Sequence, residues 1–346
     1  MSPASTLPDW SRAFGPSIAS AHIRSCAEDF RVDEELSFAP DGEGEHLLLQ
    51  VRKRNRNTDQ VARQLARHAG VRARDVGYCG LKDRVAVTTQ WFSLWLPGMP
   101  DPDWSSLEDE EVQILAQVRH RKKLPRGALR ANHFTLVLRE VQGEREALER
   151  RLQTISEQGV PNYFGEQRFG RNGSNLQAAQ AMFAGRRVKD RHLRGLYLSA
   201  ARSFLFNEVL AVRVRESNWN QVLPGEALML AGSRSFFVAD EIDDDIKRRF
   251  AEGDVQPSGP LWGRGSLPSQ ADAAILEQRA LDSHGVFREG LESAGLRQER
   301  RALRLPVNAL QWRWHAEGKD MQLRFTLPAG CYATAVLREL ISTPAG

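Results

Sequence analysis

One aspartate in this sequence is well placed for acid–base or nucleophilic chemistry: Asp83, which directly follows Lys82. The pair comes after Gly77 and Gly80, which permit a tight turn, and residues 85–96 then alternate as a β-strand does. Such a loop would hold a short, stiff carboxylate at the lip of a sheet, directed at a substrate. The pattern also fits a surface turn whose two charges are solvated, since most such ion pairs contribute little. Residue type and spacing leave both interpretations open.

The run around Asp83 belongs to a longer pattern. Its members are Gly80, Lys82, Asp83, Ala86, Thr88 and Gln90. This pattern resembles the catalytic signature of the TruD family of tRNA pseudouridine synthases. Further blocks resemble the family in the family's own order, at residues 28–30, 42–46, 57–58, 127–134, 161–170, 198–203 and 327–334. Because these seven blocks extend from about Phe30 to Leu340, the sequence is identified as a member of this family.

The resemblance implies an isomerase that converts uridine to pseudouridine, at uridine 13 in the D-stem of certain tRNAs. The reaction breaks the N1–C1′ glycosidic bond, turns the uracil and rejoins it through C5. It needs a carboxylate that acts as nucleophile or base, and the resemblance implies that Asp83 has this catalytic role. Whether Asp83 attacks C1′ or C6, or removes a ribose proton, stays open. Because the reaction is an isomerisation, we expect no cofactor and no metal.

A uridine inside folded RNA must be extruded before a carboxylate can reach it. An extruded base is commonly stacked on an aromatic ring and hydrogen-bonded at its edge. The resemblance implies that Phe134 stacks on the uracil and that Asn132 pairs with the uracil edge or its ribose. It also implies that Phe30 and Tyr332 line the substrate site. On pattern alone, Phe134 and Phe30 are typical core residues.

A cation beside Asp83 would keep the carboxylate ionised in a dry pocket. Lys82 is adjacent in sequence, but consecutive side chains of an extended segment point apart. We therefore expect Lys82 to contact a phosphate. Arg24 and Arg338 are the other candidates for a cation at Asp83.

The charge distribution is compatible with a polyanionic partner. The formal net charge is only +4, but basic residues cluster at 52–56, 119–130 and 297–304. These clusters would form an electrostatic footprint if they converged on one face; otherwise each is a solvated face balanced by acids. We expect tRNA as the partner, while no protein partner is indicated.

Cysteine usage and hydropathy favour a reducing cytoplasm and no membrane association. Cys26, Cys79 and Cys331 form neither a disulfide framework nor a zinc pattern. No apolar run reaches the length needed to span a bilayer, and residues 1–16 lack the pattern of a secretory signal.

A chain of 346 residues suggests two domains. Strands are predicted at 45–53, 133–141 and 321–327, and helices at 144–158, 198–215 and 332–340. A further helix follows Asn57, whose side chain could form a capping box with Gln60. Residues 253–268, rich in proline and glycine, are predicted to form long loops. This mixture without a βαβ rhythm favours an α+β fold with a largely antiparallel sheet.

The resemblance implies more about the architecture. It implies a pseudouridine-synthase catalytic fold, a mixed and largely antiparallel sheet with flanking helices, built from residues 1–157 and 306–346. Residues 158–305 would form an inserted second α+β domain.

Two alternatives to this function stay open, and a third is disfavoured. The first is the same chemistry on another RNA, such as rRNA, and the second is an RNA-binding or RNA-folding protein whose activity is incidental. The third, a metal-dependent phosphohydrolase, would need a second acidic cluster near Asp83, which the sequence lacks.

Overall fold

The computed structural model describes residues 7–315 and 318–342. The strands are β1 (Ala19–His22), β2 (Phe30–Leu36), β3 (His46–Arg54), β4 (Val76–Tyr78), β5 (Val87–Trp95), β6 (Val112–His120), β7 (Leu129–Gly143), β8 (Val160–Pro161), β9 (Glu226–Leu230), β10 (Phe236–Ala239), β11 (Val255–Leu261), β12 (Glu299–Ala302), β13 (Arg304–Leu305), β14 (Asn308–Trp314), β15 (Met321–Pro328) and β16 (Ile341–Ser342). The helices are α1 (Thr58–His68), α2 (Arg145–Gln158), α3 (Ser174–Phe183), α4 (Arg191–Arg215), α5 (Asp244–Ala251), α6 (Ala271–Leu281), α7 (Gly285–Ser293) and α8 (Ala333–Arg338).

The described chain forms two compact units. The sheet unit contains residues 18–152, 307–331 and 341–342, and the helical unit contains residues 7–17, 153–306 and 332–340. Residues 7–17 pack in the helical unit because Trp10 is buried there against Phe169, with ring centroids 5.3 Å apart. The domain boundaries that the resemblance implies stay a prediction.

A ten-stranded sheet organises the sheet unit. Seven strands lie in the order β14-β15-β7-β2-β5-β3-β6, while β1 pairs with β7 and β16, and β4 pairs with β5. The pairs β2–β5 and β1–β16 are parallel and the other described pairs of this sheet are antiparallel. This mixed, largely antiparallel sheet confirms the predicted α+β class.

Helix α1 covers one face of the sheet next to β3 and β5. Val61 and Leu65 on α1 are fully buried and cluster with Leu49 and Phe92, and burying each such side chain contributes about 1.5–3 kcal/mol. Asn57 occupies the N-cap position, but its side chain makes no capping hydrogen bond. The predicted capping box is therefore wrong, although the helix begins where it was predicted.

The helical unit packs around α4, whose middle is apolar on nearly all sides and is buried accordingly. A four-stranded sheet, β10-β9-β11-β12, lies in the same unit. Its strand β11 falls within residues 253–268, so the predicted long loops are wrong there. Pro257 and Pro260 have no N–H to donate to a neighbouring strand, and for this reason the sequence favours loops there. The Pro257 carbonyl nevertheless accepts a hydrogen bond from the Leu303 N–H at 2.8 Å, and the strand is almost entirely buried.

Among the described residues, no helix combines the length and the apolar composition that a bilayer crossing requires.

Candidate active site

The loop between β4 and β5 carries Asp83 and is fixed by side chains from neighbouring elements. The Gln90 side chain donates to the Gly80 carbonyl at 3.2 Å, and the Lys82 N–H donates to the Thr58 hydroxyl at 3.0 Å. Thr58 in turn donates to the Gln90 side-chain oxygen at 2.9 Å. Because Thr58 and Gln90 are buried, water does not compete for these hydrogen bonds, and they hold the loop in place.

A buried lysine also holds this loop. Lys53 on β3 is fully buried, and its Nζ donates to the carbonyl oxygens of Arg56 at 2.7 Å and Asp83 at 2.9 Å. Burial lowers the pKa of Lys53 to about 8, although the nearby Asp83 charge opposes the shift. A buried ammonium is costly without such partners. The two carbonyls therefore stabilise the cation, and the cation positions the main chain of Asp83.

Lys82 is nearly buried and contacts a carboxylate, so the expectation that it contacts a phosphate is wrong. Its Nζ forms an ion pair and hydrogen bond with Oε1 of Glu34, whose side chain is fully buried. Oε2 of Glu34 accepts a hydrogen bond from the Trp91 N–H at 2.9 Å. Burial raises the pKa of Glu34, and the neighbouring Lys82 charge only partly offsets this rise. The pair anchors the loop to β2 and β5.

Arg24 is the cation that contacts the Asp83 side chain. Its Nη2 donates to Oδ2 of Asp83 at 2.8 Å, and both side chains are about one-third exposed (31% and 36%). The guanidinium carbon lies 4.1 Å from the centre of the Phe30 ring, a cation–π contact. Arg24 has φ of 59°, an uncommon conformation for a residue other than glycine. The other candidate, Arg338, instead donates to the Trp10 carbonyl in the helical unit.

Two aromatic residues of the predicted site meet beside this ion pair. Phe30 on β2 contacts Phe134 on β7 edge to face, with ring centroids 6.3 Å apart. Phe134 also stacks at 5.3 Å on Phe325, its cross-strand neighbour on β15. All three rings are buried, Phe134 with 7% of its surface exposed. Contacts therefore run continuously from Asp83 through Arg24 and Phe30 to Phe134.

Asn132 lies two residues before Phe134 on the same strand, and both side chains are buried. Among the described residues, its Oδ1 has no hydrogen-bond partner. Buried polar atoms are nearly always paired, and an amide oxygen accepts from an N–H or hydroxyl. The uracil N3–H and the ribose hydroxyls are donors of this kind.

Tyr332 belongs to the helical unit and is 38% exposed. Its hydroxyl accepts a hydrogen bond from Nη2 of Arg168 at 2.6 Å, while Nη1 of Arg168 donates to the Ser199 hydroxyl at 3.1 Å. The other predicted site residues lie in the sheet unit: Phe30, Asp83, Asn132 and Phe134.

Sequence analysis missed Lys53 and Glu34, although alternation along their strands points to both. Lys53 continues the series of buried alternate positions on β3 that includes Leu49 and Val51. Glu34 likewise follows Phe30 and Val32 on the buried face of β2. A charged residue at the end of a buried series indicates a buried ionic contact, because such positions do not reach water.

Within residues 7–315 and 318–342, no group of three or more histidine, cysteine, aspartate or glutamate side chains could hold a metal ion.

The sequence matches one family of known proteins. The family model for tRNA pseudouridine synthase D (TruD) matches residues 17–186 and 175–340. A tRNA pseudouridine synthase D from Nitrosococcus oceani is 54% identical over 330 residues, which are 95% of this chain and 92% of that protein. One from Methylococcus capsulatus is 52% identical over 96% of this chain and 94% of its own length.

A crystal structure of a Methanosarcina mazei protein described as a putative tRNA pseudouridine synthase D (TruD) has a similar fold. It aligns with a TM-score of 0.74 and covers 97% of this chain and 96% of its own. The sequence identity is 22%, so this likeness concerns the fold alone.

Proposed function

Since the chain belongs to the tRNA pseudouridine synthase D (TruD) family, we propose that it isomerises uridine to pseudouridine in tRNA, at position 13 of the D-stem, in the cytoplasm. One observation carries the proposal beyond family membership. Asp83 is held through its main chain by Lys53 and through its side chain by Arg24. A carboxylate that is held in place in this way is suited to nucleophilic or general-base catalysis, which supports the proposal.

Arg24 has two functions in this proposal. Its guanidinium makes a charge-assisted hydrogen bond to the Asp83 carboxylate, which fixes the side chain that acts as nucleophile or base. Its planar guanidinium also lies over Phe30, which limits the directions in which the Asp83 carboxylate can turn. The reacting oxygen is thereby preorganised, so little reorganisation is required when charge develops in the transition state.

Phe134 and Asn132 hold the uracil while its bond to the ribose is broken. Stacking on Phe134 supplies affinity that does not depend on a particular hydrogen-bond pattern. The unpartnered Oδ1 of Asn132 supplies the specific contact, because it accepts a hydrogen bond and so favours a base or sugar donor. Detached uracil must turn before it rejoins, and a stacked ring can rotate in its plane without leaving the site.

The test is site mapping of pseudouridine in a defined RNA. A tRNA transcript with uridine at position 13 is incubated with the purified protein and analysed by carbodiimide labelling and reverse transcription. A transcript with cytidine at position 13 serves as the control. We expect one new stop, at the nucleotide 3′ to position 13, with wild-type protein and none with Asp83→Asn.

Other outcomes separate the alternatives. A new stop elsewhere in the tRNA would exclude position 13 while keeping the chemistry. Modification of ribosomal RNA fragments but of no tRNA would assign the same chemistry to another substrate. Tight binding without any new stop under single-turnover conditions would indicate an RNA-binding protein and overturn the proposal.

A further inference from the structure

An exposed basic segment, residues 184–195, connects α3 to the first turn of α4 in the helical unit. It contains five basic residues: Arg186, Arg187, Lys189, Arg191 and Arg194. All five are exposed, and within the described residues none of them is paired with a carboxylate. This concentration of uncompensated positive charge is not part of the site described above.

The single acidic residue of the basic segment does not neutralise it. Asp190 occupies the N-cap of α4, where its Oδ1 accepts from the N–H groups of His192 at 2.7 Å and Leu193 at 3.2 Å. Its carboxylate is thus engaged by the backbone, as N-cap residues commonly are. The five cations remain available to an external partner.

The basic clusters expected from the sequence differ from the basic segment, because several of their cations are paired with carboxylates. In residues 297–304, Arg300 is buried and paired with Glu277 at 2.5 Å. In residues 52–56, Arg54 pairs with Glu28 and Arg56 with Glu111.

The cluster at residues 119–130 also contains cations that are paired with carboxylates. Arg119 pairs with Asp101, and Arg121 pairs with Glu43. These ion pairs reduce the positive charge that the three clusters present, whereas the five cations of the basic segment have no carboxylate partner among the described residues.

The basic segment is held in place by the helices that it connects and by their packing. The Arg186 N–H donates to the Ala181 carbonyl at 2.9 Å, which ends α3 in a tight turn at Gly185 with φ of 102°. Phe183, at the end of α3, packs edge to face against Phe287 on α7 at 6.3 Å. The charges are therefore presented from a defined surface, which reduces the entropy lost on binding.

We propose that the basic segment binds the phosphate backbone of the tRNA substrate. This inference rests on the proposed function and adds a second contact region to it. Cations that neutralise phosphates release counterions, which gives affinity without sequence selection. Leu193 is the one large apolar side chain that is exposed in the segment, so the surface is suited to a polar, anionic partner rather than to insertion into a bilayer.

The test compares two variants with the same change in net charge. The first carries Arg186→Gln, Arg187→Gln and Lys189→Gln. The control carries Lys247→Gln, Arg248→Gln and Arg279→Gln, which removes three exposed cations that are paired with carboxylates in the same unit. Binding of a tRNA transcript is measured over a series of salt concentrations, and thermal melts verify that both variants are folded.

We expect the first variant to lower the slope of log K against log salt by about 2–3, close to one unit for each phosphate that is no longer neutralised. At low salt its Kd should rise on the order of ten- to a hundredfold, while the control keeps the wild-type slope. The single-turnover rate at saturating enzyme should not change, because the segment supplies affinity and no reacting group. Equal slopes in the first variant and the wild type, or equally reduced slopes in both variants, would overturn the inference.

Failure of the proposed function gives a different result. If wild-type protein forms no pseudouridine but the first variant alone binds tRNA more weakly, the basic segment stands and the isomerase assignment fails. If pseudouridine forms normally and only binding to anionic phospholipid vesicles is abolished, the tRNA contact is wrong. A single variant, Arg187→Glu, provides a second measurement, since charge reversal at an exposed site leaves packing intact and should weaken tRNA binding further than Arg187→Gln.

Discussion

Lys53 and Asp83 are joined through the main chain: the buried Lys53 ammonium donates to the Asp83 carbonyl oxygen at 2.9 Å. The same ammonium donates to the Arg56 carbonyl, so one cation connects the end of β3 to the loop that carries Asp83. The side chain of Asp83 instead contacts Arg24. Backbone position and side-chain direction at Asp83 are therefore controlled by different cations.

Lys53→Met is expected to remove a pH dependence of stability between about pH 8 and 10. Burial lowers the folded-state pKa of Lys53 to about 8, whereas an unfolded lysine has a pKa of about 10.4. Between these values the unfolded chain binds more protons, so raising the pH favours the folded state. The free energy of unfolding of the wild type, relative to the variant, should be level below pH 8 and rise above it.

Urea unfolding of both proteins at several pH values measures their free energies of unfolding. Subtracting the variant from the wild type cancels the contributions of the other titrating groups. A wild-type minus variant difference that stays constant from pH 7 to 10 would show that the Lys53 ammonium is not perturbed. The variant should also have a lower turnover at pH 7, because the Asp83 carbonyl is left without its buried donor.

Asp83→Asn is expected to lower the single-turnover rate at least about 10²-fold, since a carboxylate that acts in the reaction cannot be replaced by a neutral amide. Stability should change little, because the Arg24–Asp83 pair is about one-third exposed and exposed pairs contribute little. Rates on a fixed tRNA, with thermal melts, measure both effects. Asp33→Asn, an exposed carboxylate on β2, is the matched control and should keep full activity.

Phe134→Ala is expected to cost on the order of 1–3 kcal/mol in transition-state stabilisation, the usual value of a base–aromatic stack. Phe134→Tyr should be much milder, because it keeps the ring. Truncation of a buried ring also costs stability, so Phe325→Ala, which removes the stacking neighbour on β15, serves as the packing control. If both alanine variants lower the melting temperature alike and neither changes the rate, Phe134 has only a packing role.

Lys82→Met is expected to destabilise the protein by on the order of 3–5 kcal/mol at pH 7, because it leaves Glu34 buried without its cation. The destabilisation should shrink as the pH falls toward 5, since burial already raises the pKa of Glu34 and protonation removes the unpaired charge. Chemical denaturation at both pH values measures the effect.

The double variant Glu34→Gln with Lys82→Met is the control for this prediction. A glutamine keeps an acceptor for the Trp91 N–H, and no buried charge remains, so most of the stability should return. A double variant as unstable as Lys82→Met would show that packing of the Lys82 chain, rather than its charge, holds the loop.

Local patterns in the sequence predicted those elements whose apolar residues repeat regularly. Val61 and Leu65 indicate α1, and Leu47 and Leu49 indicate the buried face of β3, because periodicity records which face meets the core. Strand β11 was missed since its conformation depends on pairing with β9 and β12. Those contacts outweigh the local preference of Pro257 and Pro260.

The sequence indicated which residues belong to the candidate site, but it did not indicate all of the contacts between them. Gly77 and Gly80 indicated a loop at Asp83, and the structure has one there. Which cation meets the carboxylate depends on where residues distant in sequence are placed by the sheet. Arg24 lies 59 positions before Asp83, and no local pattern distinguishes it from Arg338.

The parallel pairing of β1 with β16 affects how the protein is made. Ser342 Oγ donates to the Ala19 carbonyl at 3.5 Å across 323 positions, and β1 leads within two residues to Arg24. On a translating ribosome, the loop with Asp83 emerges long before residues 341–342 have been polymerised. Until then β1 can pair only with β7, so the strand that precedes Arg24 gains its second neighbouring strand only after residues 341–342 have been made. The nascent polypeptide thus carries Asp83 well before the sheet that supports its partner Arg24 is complete.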